Sequence, residues 1–269
     1  MRVGHAMLRY ALCLHNRTRT IPLAEWAQAR WQDIALGVHW LLDHGHTHGH
    51  GAELRQLLAR LHAQGIDWEG WFETLPVTTG PGFKPLHGVN NAQALKTAAV
   101  LRRHGVDPSL ERRSRERVAK LDGHCGLPTG MWISDENMPT REELETSHHH
   151  PSRGAELCGV VEAMFSFSVM FAAFGDPYYL DRLERIAFNA LPATWASPRG
   201  GEMIAHQFVQ QVNQIEATNP VYSRLAPKRF PSSHPGSNSY GIARDVGCCT
   251  ANFNQVTHSG LDRVGCPRI

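Results

Sequence analysis

The chain has 269 residues, 42% of them hydrophobic and 19% charged, with a formal net charge of +2. That length and balance describe a folded protein with a substantial core, in one large domain or two small ones, and exclude a disordered chain. A net charge so near zero gives no ground for a nucleic-acid or membrane partner, and six cysteines are too few for a disulfide scaffold.

In Met1-Arg2-Val3-Gly4-His5 and the residues after it, Arg9 and His15 interrupt any apolar stretch, so no signal peptide is expected. No run reads as a membrane span, and free thiols then fit a reducing compartment, the cytoplasm. Met7, Leu8, Ala11, Leu12 and Leu14 have helical spacing within residues 4–17. Pro22 suits a first helical turn, and an amphipathic segment carrying Leu23, Trp26, Ala27, Ile34, Val38 and Leu41 follows to about residue 42. The tract His44-Gly45-His46-Thr47-His48-Gly49-His50 reads as an exposed loop. Beyond it, residues 52–62 form a helix with Leu54, Leu57, Leu58 and Leu61 on one face, and residues 75–85 are Pro/Gly-rich and irregular.

His87-Gly88-Val89-Asn90 opens a helix to about residue 103, with Asn90 as its cap. A charged helix over residues 109–121 precedes a polar loop over 124–151. Helices over 155–174 and 177–191 are separated by Gly175-Asp176. Residues 203–215 read as extended, and 220–238 as a long Pro/Ser-rich loop. No βαβ alternation is present, so the pattern predicts a mainly α protein of stacked helix hairpins, in a toroid, a solenoid or a bundle.

Four residues in two places carry the chemistry: Glu156 and Cys158, and the pair Cys248-Cys249. One carboxylate and three thiols complete a tetrahedral zinc shell. Residues two apart diverge on a regular helix, but Pro151 and Gly154 put Glu156 and Cys158 at a helix start, and Gly247 loosens the turn at the cysteine pair. Each residue also has a simpler role: Cys158 as a small core side chain, Glu156 as a first-turn charge favoured by the helix dipole. Spacing alone favours the simpler roles, because no C-x-x-C motif is present; two adjacent cysteines pull the other way, being awkward both as core and as a disulfide. Asp135-Glu136 is a solvated acidic turn before Pro139 or a spare carboxylic acid beside the metal, and His87 is a packing histidine or a ligand-binding one.

Several stretches together resemble glycoside hydrolase family 127, the β-L-arabinofuranosidase-like proteins. They are His87-Gly88-Val89-Asn90 with Leu95-Lys96, then Ser134-Asp135-Glu136. The strongest is Pro151-x-Arg153-Gly154-Ala155-Glu156-x-Cys158 with Val161-Glu162-x-Met164-x-Ser166. Gly175-Asp176-x-Tyr178, Leu183-Glu184-Arg185, Asn189-Ala190-Leu191-Pro192, Val212-Asn213-Gln214 and Cys248-Cys249-Thr250-Ala251-Asn252 follow. The resemblance implies an (α/α)6-barrel-like toroid with a short β/loop segment near its end, residues 1–255 forming a partial catalytic domain and 256–269 a divergent tail. Relative to the family, the chain reads as truncated at both ends.

It further implies a zinc ion held by Glu156, Cys158, Cys248 and Cys249, with Cys248 as nucleophile, Glu136 as acid and then base, and His87 and His5 on sugar hydroxyls. The implied activity is a retaining exo-glycosidase releasing terminal L-arabinofuranose, or a related sugar, from plant-type glycans. The alternative is an inactive zinc-stabilised fragment or sugar-binding remnant of such an enzyme.

Overall fold

Apolar residues three and four apart wind most of the described residues into helices, and the protein is mainly α. The computed structural model describes residues 2–75, 83–103, 107–134, 137–141, 155–192, 195–196, 206–207, 211–212, 251–252 and 255. Helices α1 (Arg2–Arg17), α3 (Trp31–Asp43) and α4 (Gly51–Gln64) pack on one another. Gly4, Leu8, Ala11 and His15 form the buried stripe of α1, and α4 buries the four leucines expected of it.

The amphipathic segment after Pro22 is not one helix. A single turn, α2 (Trp26–Ala29), ends at Arg30, whose backbone (φ −115°, ψ 26°) leaves the helical region before α3 begins. Tertiary partners explain the break. The Ala29 carbonyl, which a continuous helix would use internally, accepts from the Trp68 indole at 2.9 Å, and Arg30 Nε donates to Asn90 Oδ1 at 3.0 Å. Trp68 belongs to α5 (Trp68–Thr74), a short helix that periodicity did not reveal, capped by the Asp67 carboxylate accepting from the Gly70 amide.

One helical turn, α6 (Phe83–Leu86), leads into α7 (Gly88–Ala94) and α8 (Thr97–Arg102), which replace the single helix expected to reach residue 103. His87, rather than Asn90, stands at the cap position of α7, and every residue of α7 is buried. Helix α9 (Leu110–Cys125) leads to a hairpin-like segment in which the Leu127 amide donates to the Met131 carbonyl and Ile133 to Cys125, both at 2.7 Å. Asp122 clamps this segment from α9, accepting from the Trp132 indole at 2.9 Å and from both ends of the Arg182 guanidinium at 2.6 and 2.8 Å.

Strand β1 (Ala155–Glu156) feeds α10 (Leu157–Phe174), the longest helix among the described residues, which packs against α7, α8 and α11 (Pro177–Arg185). This helix is long and apolar enough to cross a membrane by length and composition, yet 61% of it is buried inside the fold, the position of a core helix. It ends as the sequence leads one to expect: Gly175 takes the left-handed conformation (φ 71°), Asp176 caps α11 through the Tyr178 amide, and Pro177 occupies the first turn. A π-helical turn, Ile186–Ala190, continues α11. Of residues 203–215, for which an extended segment is expected, the described 206–207 and 211–212 lie in two short antiparallel pairs. β1 pairs with β4 (Gln211–Val212), and β2 (Trp195–Ala196) pairs with β3 (His206–Gln207).

Candidate active site

Three segments far apart in sequence meet through isolated backbone bridges. Ser134 is bridged in parallel to Ala155, and the Glu156 amide donates to the Ser134 carbonyl at 3.2 Å. Asn137 is bridged antiparallel to His87, and the Met138 amide donates to the Leu86 carbonyl at 2.7 Å. The residues flanking Asp135-Glu136 are thus tied on one side to β1 and on the other to the entry of α7. Asp135 and Glu136 themselves lie outside the described residues.

Glu156 has an extended backbone (φ −63°, ψ 134°) and caps the amino end of α10. The i, i+2 spacing of a regular helix therefore does not describe Glu156 and Cys158, since only Cys158 lies within α10. Glu156 and Cys158 are both buried, each 1% exposed, at the end of the helix where backbone dipoles favour negative charge. A carboxylate and a thiol are both donor types that a zinc ion takes. Cys248 and Cys249 lie outside the described residues, so the described half of the expected shell is Glu156 and Cys158. Among the described residues, no three His, Cys, Asp or Glu side chains are grouped to hold a metal. Cys125 makes a useful contrast: at the carboxyl end of α9, burial pushes its thiol up to about 12, as befits an inert core residue.

His87 is buried, with its ring edge-on to Trp26 at 5.3 Å between centroids. Its turn is held firmly. Asn91 Nδ2 donates to the carbonyls of Pro85 (2.7 Å) and His87 (3.0 Å), and Asn91 Oδ1 accepts from the Trp71 indole at 2.8 Å. Trp26 is 40% exposed and carries the Arg30 guanidinium 4.7 Å from its ring centre. Neither Trp26 nor Arg30 stood out as a site residue in the sequence. His5 is placed differently, exposed on α1 and edge-on to His48 of the histidine loop at 6.0 Å. From that loop His44 and His46 stack on Trp40 of α3, at 4.7 and 5.1 Å between ring centres.

A second polar cluster went unassigned in the sequence. Lys96 is fully buried between α7 and α8, its Nζ 2.8 Å from Asp33 Oδ1 and 3.9 Å from Glu162 Oε2. Gln93 Nε2 donates to Asp33 Oδ2 at 3.3 Å. Burial pushes the Glu162 carboxyl above its ordinary range, with Lys96 acting in the opposite sense. A signal was available: Glu162 is the one charge in Leu157–Phe174, and Lys96 interrupts an apolar run. In comparisons with family models, curated proteins and solved structures, nothing matches this chain.

Proposed function

We propose that this protein is a retaining exo-glycoside hydrolase. It releases terminal L-arabinofuranose, or a closely related sugar, from plant-type glycans, and its helix hairpins are part of an (α/α)6-type toroid. One observation carries the reading. The entry of α7 with His87, the chain on either side of Asp135-Glu136, and the start of α10 with Glu156 and Cys158 are brought together by direct backbone bridges. Those are the three places where the chemistry requires a sugar contact, a proton donor and a metal shell.

Glu156, Cys158, Cys248 and Cys249 would hold zinc, which when bound keeps thiols deprotonated at neutral pH. The Cys248 sulfur attacks the anomeric carbon while the Glu136 carboxyl gives its proton to the leaving oxygen; the carbon–oxygen bond breaks as the carbon–sulfur bond forms. The Glu136 carboxylate then takes a proton from water, whose oxygen attacks the same carbon and returns the thiolate. Two displacements restore the configuration, as in any retaining glycosidase. His87, and on the resemblance His5, hydrogen-bond to sugar hydroxyls.

The decisive experiment uses Glu136→Gln with an activated aryl β-L-arabinofuranoside, whose leaving group needs no proton. A glycosyl adduct should accumulate on Cys248 and be located by mass spectrometry, and product analysis of the wild type should show retention. An adduct elsewhere, or inversion, overturns the assignment. Elemental analysis should give one zinc per chain, lost in Cys158→Ala. Zinc and sugar binding without turnover would mark an inactive zinc-stabilised remnant instead.

A further inference from the structure

Between α3 and α10 lies a cavity of about 360 Å³, lined by Asp33, Leu36, Val161, Glu162, Phe165 and Gln255. That is the lower end of the size range of small-molecule sites. Its polar wall is built rather than incidental. The Glu162 side chain is 16% exposed and the Lys96 side chain between the two carboxylates is 0% exposed, with its ammonium 5.0 Å from the centre of the Phe165 ring.

The charges in this wall are already matched to one another. Lys96 compensates Asp33, and the burial that raises the Glu162 carboxyl works against a second full negative charge. Hydrogen-bonding capacity, by contrast, is present in the lining itself. The carboxylate oxygens of Asp33 and Glu162 and the side-chain amide of Gln255 share the cavity surface with the apolar Leu36, Val161 and Phe165, while Lys96 and Gln93 stand behind that wall and fix its charge. A ligand carrying several hydroxyls on one edge and C–H groups on the other satisfies both walls; a charged ligand upsets the balance.

The position of the cavity connects it to the candidate active site. Cys158, Glu162 and Phe165 stand at i, i+4 and i+7 on α10, one stripe of the helix, each four residues adding roughly 6 Å along its axis. The other wall residue, Gln255, belongs to the stretch of chain that follows Cys248-Cys249. We propose that this cavity binds one neutral monosaccharide unit of the substrate, a proposal that rests on the glycosidase reading for its choice of a sugar.

Saturation-transfer NMR with L-arabinose as probe, and propylammonium as the charged comparison, tests it on the full chain. The wild type should bind L-arabinose and not propylammonium. Leu36→Trp, which fills the cavity and leaves every polar group in place, should weaken sugar binding about tenfold or more, and Phe165→Ala should do the same should Leu36→Trp not fold. Hydrolysis of the aryl arabinofuranoside separates the two proposals. Sugar binding that is lost in Leu36→Trp upholds the pocket even where the wild type hydrolyses nothing, which would sink only the glycosidase reading. Hydrolysis with an unaltered KM in both variants, preference for propylammonium, or no sugar binding by the wild type would overturn the pocket.

Discussion

Replacing Lys96 by Met keeps a side chain of similar length in place while deleting a charge that has no exposure to solvent. Asp33 Oδ1, 2.8 Å away, and Glu162 Oε2, 3.9 Å away, then lose their counter-ion. Removing one side of a buried pair costs about 3–5 kcal/mol. Two features reduce that here: the Asp33 side chain keeps 35% exposure and rehydrates in part, and Glu162 can answer by taking up a proton. The loss should therefore be about 2–3 kcal/mol, or roughly 4–12 °C in melting temperature for a chain of this size.

The pH dependence gives the sign. A carboxyl raised by folding favours the native state below its unfolded value, near 4.5, and loses that contribution as pH rises through its folded value. Without Lys96 the Glu162 carboxyl rises further, so the deficit of Lys96→Met should be largest at neutral pH and shrink toward 4.5. Calorimetry across that range measures it, and Lys96→Met combined with Glu162→Gln should recover much of the loss. A single variant as stable as the wild type at neutral pH, or a deficit independent of pH, would refute the reasoning.

Gly65→Ala should cost about 1–3 kcal/mol by overpacking, because a Cβ there would stand 2.1 Å from Cδ1 of the buried Trp31 ring; an unchanged urea midpoint would contradict this. Gly175→Ala meets open space but keeps φ at +71°, so the loss should be about 1 kcal/mol of backbone strain, and less for Gly175→Asn. Cys125, buried and with its thiol raised to about 12, should resist alkylation in the native protein while the exposed Cys13 reacts, as peptide mapping of the labelled chain would show. Trp68→Phe leaves the buried Ala29 carbonyl without its indole donor and should cost about 1–3 kcal/mol in thermal unfolding; a variant matching the wild type would deny that this bond holds the break before α3.

Where local pattern and packing agree, the sequence was enough. The leucine stripe of α4 and the Gly175-Asp176-Pro177 punctuation are as expected because neighbours within a turn or two determine them. The helix breaks after Ala29 and around Lys96 were not legible, since the first is made by an indole about forty residues away and the second houses a buried ammonium. Asn90 looks like a cap, yet its amide oxygen serves Arg30, and His87 takes the cap position. At the site, Pro151 and Gly154 announced an irregular helix start, and Glu156 is indeed extended. The bridges His87 to Asn137 and Ser134 to Ala155 involve single residue pairs and leave no periodic trace to read. Lys96 and Glu162 were visible as isolated charges in apolar surroundings; only the fold shows that they face each other and Asp33.

The burial of α7 on every side bears on how the chain must fold as it is made. Helices α1, α3 and α4 find one another within the first 64 residues and can pair early. Helix α7 waits: its cover is α10, and the bond from Ser166 Oγ to the Ala92 carbonyl closes a loop of 74 residues. Until that length of chain has left the ribosome, α7, with its buried Asn90, Asn91 and Gln93, lacks the cover of α10, and the Lys96 ammonium beside it is still in water. Between synthesis of residue 94 and of residue 174 the chain therefore carries α7 without its α10 cover, the condition in which exposed apolar surface favours aggregation.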